Sequence, residues 1–133
     1  MNIYSKINTT EVLHIINRKQ DIQDDRVDLV DDNEFIQVAS LKMYAGKTFK
    51  PHRHIENIRV TNIAQESWVI ISGLVKVILY DIDNTILHTD VLEPGDCSIT
   101  LRGGHNYECL HPSLVYEFKT GPYMGVLSDK EFI

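Results

Sequence analysis

The sequence predicts an all-β domain of antiparallel strands, and three observations predict it. From Phe35 onward, apolar and β-branched residues come in short blocks. Turn-forming residues divide those blocks: Ala45-Gly46-Lys47, Ser72-Gly73, Asp81-Ile82-Asp83-Asn84, Glu93-Pro94-Gly95-Asp96, Arg102-Gly103-Gly104 and His111-Pro112-Ser113. The 133 residues suit one domain and leave little room for a second core. Eight or so short strands of this kind fit a barrel or a double sheet.

Taken in order, residues 1–34 form an N-terminal extension expected to pack on the barrel, and residues 35–133 form the barrel. Within the extension, Thr9 or Thr10 can cap a short helix to Arg18, with Val12, Leu13, Ile15 and Ile16 as its apolar stripe. Arg18 to Asp32 carries six aspartates and few large apolar side chains, which predicts a solvated acidic approach. The strands expected beyond it are Phe35–Met43, Lys50–His54, Glu66–Ser72, Leu74–Tyr80, Thr85–Leu92, Cys97–Thr100, His105–Leu110 and Leu114–Thr120. At Glu93-Pro94-Gly95-Asp96, proline fixes φ near −65° and glycine accepts the positive φ that a type II turn demands next.

Composition narrows the function. Thirteen Lys and Arg against nineteen Asp and Glu give a net charge of −6, so no overall field draws nucleic acid or an anionic membrane surface. The longest apolar runs are interrupted by Ser72, Gly73 and Lys76, too early to span a bilayer. The polar start, Met1 to Asn8, lacks the apolar stretch of a secretory signal, which predicts a cytoplasmic protein. Cys97 and Cys109 have no C-x-x-C spacing and are expected as thiols.

Chemistry begins at Pro51-His52-Arg53-His54. In a strand, residues two apart face one side, so His52 and His54 would present two imidazoles to one point. Around them stand Gly46, with five residues between it and His52, then Glu66 and Gly73, then Gly95, Gly103 and His105. This order resembles the two motifs of the cupin family of small jelly-roll barrels, G-x5-H-x-H-x3,4-E-x6-G and G-x5-P-x-G-x2-H-x3-N. The likeness covers about residues 35–120. It departs in four places: eleven residues separate His54 from Glu66, Leu101 stands at the second motif's proline, one residue instead of two separates Gly103 from His105, and Cys109 stands at the motif's asparagine.

The resemblance implies a cupin-type jelly roll in which His52, His54, Glu66 and His105 converge on one divalent transition metal, Fe, Mn, Ni, Co or Zn. Glu56 is a rival fourth ligand, since it shares parity with His52 and His54 in a continued strand. Glu66 is preferred for its spacing to Gly73. Trp68 shares parity with Glu66, and Tyr107 with His105, so both are expected to line the interior, and Arg102 to stand at the rim where an anionic substrate could be clamped. His14, His88 and His111 are expected on the surface or in turns.

Gly95 to Thr100, Gly103 to Tyr107 and the ending Asp129-Lys130-Glu131-Phe132-Ile133 look like small bacterial cupins whose genes accompany those for surface-polysaccharide or nucleotide-sugar assembly. That likeness implies a small polar ligand, a sugar derivative, with the metal as Lewis acid in isomerase- or epimerase-like chemistry. A non-catalytic sugar-binding or sensing barrel, and oxygen chemistry on Fe(II), are the alternatives. A homodimer is expected, because the outward faces around Val69 and Ile71 are more apolar than one small barrel requires.

Overall fold

A computed structural model describes all residues, 1–133. Ten strands form three antiparallel sheets. Sheet A has five strands, in the order β1 (Asn2–Tyr4), β2 (Val12–Asn17), β8 (Cys97–Thr100), β5 (Glu66–Ser72) and β10 (Leu114–Lys119). Sheet C places β6 (Val75–Tyr80) between β7 (Ile86–Leu92) and β9 (His105–Cys109). The third is a two-residue pairing of β3 (Val27–Asp28) with β4 (Ala39–Ser40). A single turn of helix, α1 (Val126–Asp129), follows β10. The architecture is all-β, and no helix is long and apolar enough to cross a membrane.

Two apolar clusters explain why the sheets stack. Between sheets A and C, Ile3, Ile16 and Ile70 meet Val75, Val77, Leu79 and Leu92. On the opposite face of sheet A, Ile15, Cys97, Ile99 and Leu101 are covered by Val30 and Ile36 from the segment joining β3 to β4. The central strands of sheet A are therefore buried on both faces, and β8 has no exposed residue.

That double burial corrects the helix expected over Thr9–Arg18. Its centre is β2, paired with β1 on one side and β8 on the other. A strand covered on both faces carries apolar residues at every position, so Val-Leu-His-Ile-Ile mimics a helical stripe over one short window. His14 is corrected with it. Expected at the surface, it is fully buried. Residues 1–17 thus supply two strands of the main sheet.

The later strands match the sequence pattern closely, whereas two earlier ones do not. Of Phe35–Met43 only Ala39–Ser40 is strand, because Ile36 and Val38 turn inward to cap sheet A instead of pairing. Lys50–His54 forms no strand, and residues 41–65 contain no regular element. Pro51 removes a ladder donor there, and Ile55, Ile58 and Val60 are spaced three and two apart, with no sustained period of two. The turn before β8 forms as expected, with Gly95 at φ 95°.

Candidate functional site

Strand register builds the site. Directly opposed residues in a sheet face the same way, and one row across sheet A reads His14, Thr100, Glu66, Lys119. The next row reads Ile16, Ser98, Trp68, Glu117. Both face sheet C, where His105 opposes Leu79 and Tyr107 opposes Val77. One end of the interior is thereby polar and the other apolar.

At the polar end, His105 Nε2 lies 3.2 Å from Glu66 Oε1. The same oxygen accepts the Trp68 indole N–H at 2.8 Å. Lys119 Nζ stands 3.7 Å from the other oxygen, Glu66 Oε2. Burial alone would raise the Glu66 pKa, but the imidazole of His105 and the indole donor outweigh it and hold the carboxyl below its ordinary range. The Lys119 ammonium is raised, chiefly by its 3.0 Å contact with Glu117.

Trp68 and Tyr107 stack with centroids 3.9 Å apart and planes at 10°. The Tyr107 hydroxyl is 2.7 Å from Ser98 Oγ, and burial pushes its phenol pKa up. Each ring covers a face of the other; both residues are half-buried, and neither lines the cleft at Glu66 and His105.

His14 stands beside this pair. Its Nε2 lies 2.9 Å from the Tyr80 carbonyl and Nδ1 lies 3.1 Å from Thr100 Oγ1. A carbonyl only accepts, so Nε2 carries the proton and Nδ1 accepts from the threonine hydroxyl. Burial depresses the His14 pKa to about 4, which keeps this imidazole neutral.

One buried side-chain nitrogen or oxygen has no partner, His105 Nδ1. Leaving such a group unsatisfied costs about 1–3 kcal/mol, so its partner is an ordered water, an ion, a ligand or a reacting atom. With Nε2 turned to the Glu66 carboxylate, Nδ1 of a neutral ring is a bare lone pair. A cleft of about 440 Å3 opens here, with Glu66, His105, Tyr80, Thr100, Asn106 and Lys130 among its lining. Arg102 also lines it, but its guanidinium is engaged, with Nη1 2.9 Å from Glu34 Oε1 and Nε 3.5 Å from Glu11 Oε1. A larger cleft, about 680 Å3, lies across sheet A between Glu11, Asp31 and Glu34. Its titratable lining is Glu11, Asp28, Asp31, Glu34 and Arg102, without histidine or cysteine.

The four-ligand centre implied by the cupin likeness is not assembled. Glu66 and His105 are together, whereas His52 and His54 lie on the exposed irregular segment, their rings edge to face at 5.6 Å. His52 Nδ1 is 3.0 Å from the Lys50 carbonyl. Glu56 is exposed on the same segment, and no three His, Cys, Asp or Glu side chains stand where they could share a metal. Without a strand at Lys50–His54, the two-residue parity that aimed both imidazoles at one point does not operate. As placed, the donors do not fit a transition-metal centre.

Sequence reading missed His14, Thr100 and Lys119 as neighbours of Glu66. A histidine inside an otherwise apolar run was the available signal for the first. No family model, no curated protein and no solved structure matches this chain.

Proposed function

We propose that the Glu66–His105 cleft binds a small polar, carbonyl-bearing metabolite, a sugar derivative, and moves a proton on it in isomerase- or epimerase-like chemistry. The observation that carries this reading is the bare, buried Nδ1 of a histidine whose other nitrogen faces an anionic carboxylate. Glu66 orients the ring and stabilises the imidazolium that forms. Nδ1 takes a proton from the hydroxyl-bearing carbon beside the carbonyl; the C–H electron pair forms a C=C bond as the carbonyl π pair moves to its oxygen, giving an enediolate. Return of that proton to the former carbonyl carbon, with the hydroxyl proton passing between the two oxygens, completes an isomerisation; delivery of a solvent proton to the opposite face of the first carbon, the imidazolium releasing its own to solvent, gives an epimerisation.

The finer fold in this reading is the cupin jelly roll, with sheets A and C as its two layers. Metal binding by His52, His54, Glu66 and His105 would require residues 41–63 to close over the cleft, and no step is assigned to it. Elemental analysis of the protein and of its His52→Ala variant tests it: stoichiometric metal lost in the variant supports the four-ligand centre. A homodimer belongs to the same reading, supported by Tyr116 and Phe118, exposed on one face of β10; light scattering at micromolar concentration checks it.

The test of the reaction is proton exchange with solvent. In D2O, wild-type protein should place deuterium beside the carbonyl of a ketosugar or nucleotide-linked ketosugar, and His105→Gln should not. Ligand-induced stabilisation without exchange would favour the non-catalytic binding barrel instead.

A further inference from the structure

Residues Asp129–Ile133 supply five of the residues that line the Glu66–His105 cleft. They run from α1 along its mouth, and the segment before them contains Gly121 and Gly125, the latter at φ 93°. Their attachments are few. Asp129 lies 4.0 Å from Lys119 Nζ, Lys130 N donates to the Val126 carbonyl at 2.9 Å, and Ile133 rests on the Gly103-Gly104 turn. That last contact is close: a Cβ built on Gly104 would come within 2.5 Å of Ile133 Cδ1. Glycine at 104 is not required by backbone conformation, since its φ is not positive; what it provides is a seat for Ile133.

The outward side of the same stretch is largely exposed, Phe132 at 86% and Ile133 at 62%. A segment held by one tight apolar seat and one long ion pair, with most of its surface in water, belongs to the part of a protein that opens at low free-energy cost. It lines the same cleft as His105, whose Nδ1 lacks a partner.

We infer that Asp129–Ile133 is a strap that gates the Glu66–His105 cleft, seated through Ile133 on Gly104 and lifted to admit ligand. The inference rests on reading this cleft as the ligand site, but access to His105 is measurable whether or not any chemistry follows.

Two full-length variants test it. Gly104→Ala places a methyl where Ile133 Cδ1 sits, and Ile133→Ala removes the seated group without adding atoms at the turn. Diethyl pyrocarbonate labelling of each histidine, read by mass spectrometry, reports access, with exposed His52 and His54 as internal references, and hydrogen exchange across residues 126–133 reports release. Both variants should speed exchange in the strap and raise the His105 labelling rate about five-fold or more relative to His52 and His54. Three results would each overturn the gate: faster strap exchange with His105 labelled at its wild-type rate, strap exchange unchanged in both variants, or wild-type His105 already as reactive as His52. None of them depends on whether a sugar is turned over, so failure of the gate and failure of the proposed reaction are separable.

Discussion

The two ends of the space between sheets A and C differ in what they hold. At one end Ile16, Ile70, Val75 and Leu92 pack with no polar atom among their side chains. At the other stand His14, two positions from Ile16 on β2, and Glu66, four positions from Ile70 on β5, with Thr100 of β8 and His105 of β9. The apolar end repays burial directly, at about 25 cal/mol per Å2 removed from water. The polar end must offset desolvation with hydrogen bonds, and it does so for every buried side-chain nitrogen and oxygen except His105 Nδ1. A fold that needed only stability would not place its one unpaired buried group beside a carboxylate in a cleft. On the proposed reading, the apolar end supplies stability and the polar end the chemistry.

The largest effect that sharpens this contrast belongs to the polar end. Glu66→Gln removes the charge that orients and stabilises the His105 ring, and proton exchange into a ketosugar should fall roughly a hundred- to ten-thousand-fold. Its melting temperature should also fall, because Gln keeps the Trp68 indole bond but loses the charge that His105 and Lys119 stabilise. At the apolar end the order reverses: Leu92→Ala, at a fully buried position opposite Val75, should cost about 2–5 kcal/mol in urea unfolding while leaving the exchange rate per folded molecule nearly intact.

Acid separates the ends next. Native His14 is neutral with its pKa near 4, whereas the unfolded chain binds that proton near 6.5. The unfolded state therefore takes up more protons between those values, and stability falls as pH drops from about 6.5 to about 4, by roughly 3 kcal/mol at the lower limit. Glu66, Asp81 and Asp90 act in the same direction further down, because their carboxyls are held below their ordinary values and must be protonated in acid. His14→Gln should flatten the upper part of this profile, measured by urea unfolding at a series of pH values. The smallest effect is Trp68→Phe, which keeps the stack on Tyr107 and removes one donor from Glu66, for about 1 kcal/mol.

Much of this was legible in the sequence, and what was not has physical causes. Strands β5 to β10 follow their apolar blocks to within a residue or two, since each pairs with a strand near it in sequence or is bounded by a turn that fixes its register. Parity along two of them placed Glu66 with Trp68 and His105 with Tyr107 on inward faces. It could not show that the two faces meet, because β5 and β9 lie in different sheets. β2 was read as a helix because burial on both faces erases alternation. The acidic stretch and residues 35–40 hid their role as the lid on sheet A, since Val30 and Ile36 act as isolated anchors rather than as a periodic pattern. His52 and His54 carry the sharpest motif in the chain, yet a motif specifies a face only when a strand supplies it, and that segment supplies none.

The protonation state of the His105 ring tests the central claim most directly. Long-range 15N–1H correlation spectra, recorded with the ring neutral, distinguish its two nitrogens by which one bears the hydrogen. The account predicts hydrogen on Nε2, facing Glu66, with Nδ1 bare and its signal shifting when a sugar ligand is added. Hydrogen on Nδ1, or spectra indifferent to every sugar tried, would contradict it.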